Sequence, residues 1–328
     1  MNILMFSRYV FPRKGGVEKH VWEIAKIFRK KGHGVDVICE KDDKKLGTTY
    51  KIDKINVRRI CYPRVKYVGL LIIWIKLLKY FGLIKKARVV IVHDVFVWYL
   101  PLRVIFPLKK IILVNHGWEG KYPVPWKNKL IKKISGKLSN RVINVGDYIE
   151  KYYGVNPDEV VYGGVKKKKL VLGDKRKTVC VLGRLEEDTG VLGMLRVIKK
   201  MKGYEVLFCG DGTLRKKCEQ YGKVLGFTDP ETELEKSKIC FATGYLSCLE
   251  SMINGCITAC FWDNKLKRDY FKDSPFSNFI IAGNNEDDIL KEIYDLERSE
   301  DKRNIFIKRA YNWAASQSWE RVFQVYGV

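Results

Sequence analysis

The chain has 328 residues, 46% of them hydrophobic, and a formal charge of +25 at pH 7. That is enough apolar material for a large core, and the length excludes one small module in favour of two domains. The charge draws polyanions, whether nucleic acid, anionic lipid headgroups or phosphorylated substrates, without choosing among them; a merely soluble lysine-rich surface reads the same way.

Asn2–Phe6 is a short apolar, strand-like run. Arg8, Arg13 and Lys14 follow too soon for a secretory leader, so a cytoplasmic protein is expected. A loop with Pro12, Gly15 and Gly16 comes next, then apolar residues at helical spacing over Val17–Lys30, a stop at Gly32 and a second strand at Val35–Cys39. Val89–His93 and Ile111–Asn115 read as buried strands, Trp126–Leu138 as a helix and Arg141–Val145 as a strand. The basic stretch Lys166–Lys177 is the expected interdomain linker.

A second set then begins. Thr178–Leu182 is a strand ending at Gly183, Val191–Lys200 a helix, and Tyr204–Cys209 a strand ending in Gly210-Asp211-Gly212. Short strands at Ile239–Phe241 and Ile257–Cys260 flank a helix at Leu246–Ile253. Two halves that each open with a strand ending at glycine predict an α/β protein with two Rossmann-like domains and parallel sheets. The nine cysteines include no C-x-x-C; Cys39, Cys180, Cys209 and Cys240 fall in apolar runs and read as buried thiols of a reducing compartment. Cys256 and Cys260 lack a second ligand pair, so no zinc site is expected.

Val68–Ile84 is almost wholly apolar, broken only by Lys76 and Lys79 and followed by Lys85 and Lys86. It is short for a membrane span, which needs about 20 apolar residues. A helix there either lies in a membrane interface or packs under the first sheet with its lysines snorkelling.

Four motifs could carry chemistry. Gly15 and Gly16, after a strand and before a helix, let backbone approach an anion at the helix N-terminus, or simply make a tight turn. Asn115-His116-Gly117 sits at the expected C-terminal edge of a parallel sheet, where ligands bind; His116 there could bond a sugar hydroxyl or only a backbone carbonyl. Gly183-Arg184-Leu185 places a guanidinium at a strand end, ready to clamp phosphate, with Glu186, Glu187 and Asp188 facing water or Arg184. Ala242-Thr243-Gly244-Tyr245-Leu246 opens a helix whose Glu250 could accept two ribose hydroxyls or face solvent.

In order, spacing and setting, these pieces resemble the retaining glycosyltransferases of family 4 (glycosyl transferases group 1), which have the GT-B fold. The likeness takes in G-G-V-E-K-H-V, N-H-G, Tyr162–Val165, V-L-G-R-L, Gly210-Asp211-Gly212, Gly226-Phe227-Thr228, Leu249–Gly255 and Gln317–Glu320. It implies an acceptor-side domain at 1–165, a nucleotide-sugar domain at 166–311, a helix at 312–328 packing back on the first, and an active site in the cleft between the domains. It further implies that Arg184 binds the donor diphosphate, that Glu250 binds the ribose, and that Gly244, Tyr245 and Leu246 offer backbone donors. Gly15 and Gly16 approach the phosphate, His116 lies near the transferred sugar, and Phe227 and Thr228 border the base.

The expected activity is transfer of a hexose from a nucleotide-diphosphate sugar to a glycan, glycolipid or other acceptor, with retention. No cofactor and no metal are expected, because protein cations stabilise the leaving group. An anionic membrane surface is a further expected partner, with the protein peripheral on the membrane; nucleic acid is not expected. Two positions depart from the family pattern: Thr189 stands where a diphosphate lysine is usual, and Ala242 where the first glutamate is usual. Thr189 is expected to offer a hydroxyl instead. The departures motivate an alternative reading as a non-catalytic GT-B nucleotide- or glycan-binding protein.

Overall fold

In the computed structural model, residues 1–43, 45–65, 67–117, 120–173 and 176–328 are described. Residues 174 and 175 of the expected linker lie outside the described residues. The chain forms two compact units. One takes Met1–Trp118, Pro123–Val161 and Val322–Val328; the other takes Glu119–Tyr122 and Tyr162–Arg321.

The first unit is an eight-stranded sheet: β1 (Asn2–Phe6), β2 (Gly34–Glu40), β3 (Thr49–Ile52), β4 (Ile55–Ile60), β5 (Val89–His93), β6 (Lys110–Asn115), β7 (Arg141–Val145) and β8 (Glu159–Val161), in the order β3-β4-β2-β1-β5-β6-β7-β8. Neighbours are parallel except β3, which runs antiparallel to β4. The central strand β5 (VVIVH) is buried along its whole length, which is why it reads as a continuous apolar run rather than an alternating one. The helices are α1 (Gly16–Lys30), α2 (Val68–Leu78), α3 (Phe81–Lys86), α4 (Phe96–Ile105), α5 (Trp126–Lys137) and α6 (Tyr148–Tyr153). One core joins Leu4, Phe6, Val90 and Val92 of the sheet to Ile73, Leu77, Ile84, Trp98 and Tyr99 of the helices.

The β3–β4 hairpin went unforeseen. Its two-residue turn puts Asp53 and Lys54 at φ 51° and 61°, the left-handed geometry such hairpins favour, but without the Asn-Gly or Asp-Gly that would announce it. The apolar run expected as one helix is interrupted where Tyr80 leaves helical geometry, and α2 and α3 result. The chain's last residues close the first unit: Phe323 packs on Phe28 at 4.7 Å and Tyr326 lies 6.2 Å from the same ring.

The second unit is a six-stranded parallel sheet: β9 (Arg176–Leu182), β10 (Glu205–Cys209), β11 (Lys223–Val224), β12 (Ser237–Ala242), β13 (Ile257–Phe261) and β14 (Ile281–Gly283), in the order β11-β10-β9-β12-β13-β14. Around it run α7 (Val191–Lys200), α8 (Arg215–Cys218), α9 (Glu231–Lys236), α10 (Tyr245–Ile253), α11 (Lys265–Lys272), α12 (Glu286–Arg298) and α13 (Glu300–Ala315); the last helix, α14 (Trp319–Gln324), begins in this unit, and its residues from Val322 on belong to the first. Its core is Val179, Val181, Phe208, Phe241 and Ile257 against Met194, Leu195 and Ile198. The stretch expected as one helix at 312–328 is the end of α13, a break at Ser316–Ser318 and then α14. Both sheets follow the doubly wound pattern expected of Rossmann-like units. Cys39, Cys180, Cys209 and Cys240 are buried and free.

Candidate functional site

In the first unit the C-terminal edge of the sheet gathers imidazoles. Because β1, β5 and β6 are neighbours, the loop into α1, the end of β5 and the Asn115–Gly117 turn come together. His20, one turn past Gly16, lies 4.7 Å from the His116 ring at nearly a right angle. His93 stacks on His116, with Nδ1 of one 2.9 Å from Nε2 of the other. His20 Nε2 is 2.8 Å from the Tyr326 hydroxyl, so the chain's last turn orients it.

Burial and neighbouring imidazoles push all three side chains well down from the ordinary histidine range, His116 to about 3. The cluster is therefore neutral at physiological pH. His116 is pinned from behind: its N–H donates to both Asp94 carboxylate oxygens at 3.1 and 3.2 Å, and the Tyr148 hydroxyl donates to its carbonyl at 3.2 Å. Burial opposes charge on Asp94, but the Lys132 ammonium at 2.9 Å outweighs it and holds the carboxyl below its usual range. Nitrogens of His20, His93 and His116 lie within 4.8 Å of one another, a donor set able to hold a transition metal. Their separation along the chain leaves no spacing motif to announce it.

Gly15 and Gly16 behave differently. A Cβ on Gly15 would strike the Glu18 carboxylate at 2.3 Å, whereas nothing lies within 4 Å of one on Gly16. Space in front of Gly16 is open, but Glu18 puts negative charge in the same first turn, with Arg13 3.7 Å from it. Any anion at this helix start meets that carboxylate as well as the positive end of the helix dipole.

In the second unit, three strand ends crowd together. Gly183 has φ 128°, and a Cβ there would sit 1.8 Å from Thr243 Oγ1; one on Gly210 would sit 1.7 Å from the Gly183 carbonyl. Pairing of β9 with β12 sets Leu182 beside Ala242, so Arg184 and the start of α10 emerge side by side. Arg184 is half-exposed and bonds Asp188 at 2.9 Å, as the reading of the acidic run anticipated. Glu186 turns instead to Thr213.

Thr189 requires a correction. It is only 3% exposed, and its hydroxyl is bonded to the carbonyls of Arg184 (2.9 Å) and Glu186 (2.6 Å). Its one proton is committed to the chain's own turn and is not available to a phosphate. The amides at the start of α10 are also engaged within the unit: Gly244 N–H donates to Ser247 Oγ and Tyr245 N–H to the Tyr270 hydroxyl. The Tyr245 ring is buried and stacked on Tyr270 at 3.8 Å. Leu246 and Glu250, four apart, form the partly exposed stripe of an otherwise buried helix. Ala242 is wholly buried at the end of β12. Phe227 is exposed and Thr228 partly so, just past β11.

One residue of this region was missed. Lys267, on α11, is 3% exposed; its ammonium donates to the Thr243 carbonyl at 3.0 Å and lies over the Tyr270 ring at 4.5 Å. Burial brings it down to about 8, with Asp188 opposing that fall and Arg184 adding to it. A buried ammonium thus stands beside Arg184 where the chain enters α10. Among Lys265, Lys267, Arg268 and Lys272, nothing in the sequence distinguishes it.

The family model for Glycosyltransferase Family 4 matches residues 14–168, and that for Glycosyl transferases group 1 matches residues 165–313. No protein of curated function matches the sequence. Among solved structures, the chain is similar to a sucrose-phosphate synthase from Thermosynechococcus elongatus (TM-score 0.80, 12% identity, covering 99% of this chain and 97% of that one). It is similar also to a glycosyltransferase from Rickettsia africae (0.70, 14%, 98% and 96%) and to HepE of Anabaena in complex with UDP-glucose (0.72, 13%, 99% and 97%). At these identities the likeness shows the fold, and the fold is GT-B.

Proposed function

Since the chain belongs to the glycosyltransferases of family 4 (glycosyl transferases group 1), we propose that it moves a hexose from a UDP-sugar to an acceptor hydroxyl of a glycan or glycolipid, with retention and without a metal. The observation that carries this reading is the pair of cations at one edge of the second sheet: Arg184, bonded to Asp188, and Lys267, buried on the Thr243 carbonyl. Breaking the bond between the anomeric carbon and the diphosphate leaves negative charge on the leaving oxygen. Preorganised cations held away from water stabilise that charge most.

Each residue then has a role within its own unit. Arg184, with N–H groups beyond the one Asp188 takes, clamps a phosphate, and Lys267 supplies the second positive charge. Glu250 accepts the ribose hydroxyls, and Phe227 and Thr228 border the base. In the first unit neutral His116 bonds a hydroxyl of the transferred sugar, and Gly16 leaves room for the donor. The uridine base is supported by HepE, which binds UDP and UDP-glucose.

Calorimetry with UDP, uridine and UDP-sugars, followed by UDP release with candidate acceptors, tests the reading. UDP binding well above uridine, with release on adding acceptor, is the expected result. No binding of any nucleoside diphosphate would refute it. Binding of UDP with no transfer or hydrolysis from UDP-, GDP- or ADP-sugars would favour the non-catalytic reading, which Thr189 and Ala242 motivate.

A further inference from the structure

Residues 66–140 carry fifteen lysines and arginines against two acids, Asp94 and Glu119. Asp94 is already paired with Lys132. The same segment exposes apolar side chains that a soluble surface would bury. On α2, Val68, Leu71, Ile75 and Leu78 recur at helical spacing along one stripe, each about half-exposed or more, while Gly69, Ile73 and Leu77 face the core. Phe81 follows at the start of α3. The end of α4 and the turn after it add Val104, Ile105 and Leu108, the last 98% exposed. A shallow apolar groove of about 200 Å³ between α2 and α4, lined by Trp74, Leu78, Trp98, Pro101 and Ile105, makes the patch continuous.

Helix α5 is inside out. It buries Lys132 and Ser135 and exposes Trp126, Leu130, Ile131 and Ile134. Water alone would favour the reverse. Exposed apolar side chains clustered on neighbouring helices, rather than scattered singly, mark interaction sites. Lys76, Lys85, Lys86, Lys127 and Lys133 are exposed on the same helices and Lys79 at the end of α2, so the apolar stripes are interleaved with positive charge.

We propose that this face of the first unit is a membrane-docking surface that lies in the interface of an anionic bilayer. The stripes on α2, α4 and α5 enter the headgroup–acyl boundary and the lysines meet lipid phosphates. Charge complementarity selects the occupant. A nucleic acid would use the lysines and leave the apolar stripes in water, and a second copy of this chain would set lysine against lysine. No helix among the described residues is long and apolar enough to cross a membrane, so the mode is lying on it rather than spanning it. The inference goes beyond the donor chemistry and does not depend on it.

Flotation of the full chain with phosphatidylcholine vesicles, with and without phosphatidylglycerol, tests it. Binding to the anionic vesicles is expected, weakening as salt rises. Leu71→Ser/Ile75→Ser/Leu78→Ser, which removes only exposed apolar groups, lowers vesicle affinity at least about tenfold. Lys79→Ala, Lys85→Ala and Lys86→Ala each lower it about fivefold. Circular dichroism and thermal unfolding of all of them match the wild type, which reports that they fold. Failure of the wild type to float at low salt would overturn the proposal, as would equal flotation by the triple serine variant. So would a stable dimer that the serine variant turns into monomer, since a second copy would then cover the face.

Discussion

Lys267→Met separates two roles that ordinarily fail together. Burial lowers the lysine from 10.5 to about 8, so its charge costs the folded state about 3 kcal/mol at neutral pH. Methionine has similar length and no charge, and removes that cost. It also strips the Thr243 carbonyl of its 3.0 Å donor, which returns about 1–2 kcal/mol. The net expectation is a protein more stable by about 1–2 kcal/mol, raising Tm by about 2–6 °C. If Lys267 meets the leaving diphosphate, kcat/KM for the UDP-sugar falls by about two to three orders of magnitude. UDP binding weakens in the same direction while uridine binding does not. Calorimetric titration, thermal denaturation and a UDP-release assay read all three quantities. Unchanged UDP affinity and turnover would refute the argument. A parallel loss of stability and binding would make Lys267 a structural residue only.

Four further outcomes follow from the same structure. UDP affinity falls as pH rises through about 8, where free Lys267 loses its proton, while stability gains from this residue between about 8 and 10.5, because there the unfolded chain holds the proton that the folded chain has lost; Lys267→Met flattens both profiles, and titrations from pH 6.5 to 9.5 with denaturation up to pH 10.5 read them. Thr189→Lys does not raise donor affinity, since the position points inward; it costs more than about 3 kcal/mol in a denaturant titration by burying a charge where a hydroxyl was bonded. Gly183→Ala costs about 3 kcal/mol or more through its positive φ and the contact with Thr243, lowering the midpoint of thermal unfolding. Activity persists within about twofold after dialysis against EDTA if, as proposed, side-chain cations face the diphosphate; a loss restored by a divalent metal would overturn the metal-free reading and make His20, His93 and His116 the candidate ligands.

What the sequence determined by itself was the alternation of elements and the glycines between them. Buried parallel strands such as Val89–His93 and Thr178–Leu182 are continuous apolar runs, and amphipathic helices such as Val17–Lys30 repeat at 3.6, so local periodicity suffices to find them. The turns at Gly183 and Gly210 were legible because a side chain there would collide with neighbouring backbone or with Thr243, a constraint written as glycine. Tertiary structure decided the rest. A two-residue turn of Asp53 and Lys54 has no sequence signature, so the hairpin it closes stayed hidden. Thr189 read as a replacement donor because its distance along the chain from Arg184 was right; only the fold shows its hydroxyl turned back on its own loop. Lys267 is one of many lysines in the string and becomes singular only when α11 buries it beside Arg184 and Thr243. The imidazoles of α1, β5 and the turn after β6 meet for the same reason: strand order, not spacing, sets which side chains share an edge. Periodicity reports what a segment buries; which distant charges end up sharing that burial depends on contacts that no local window contains.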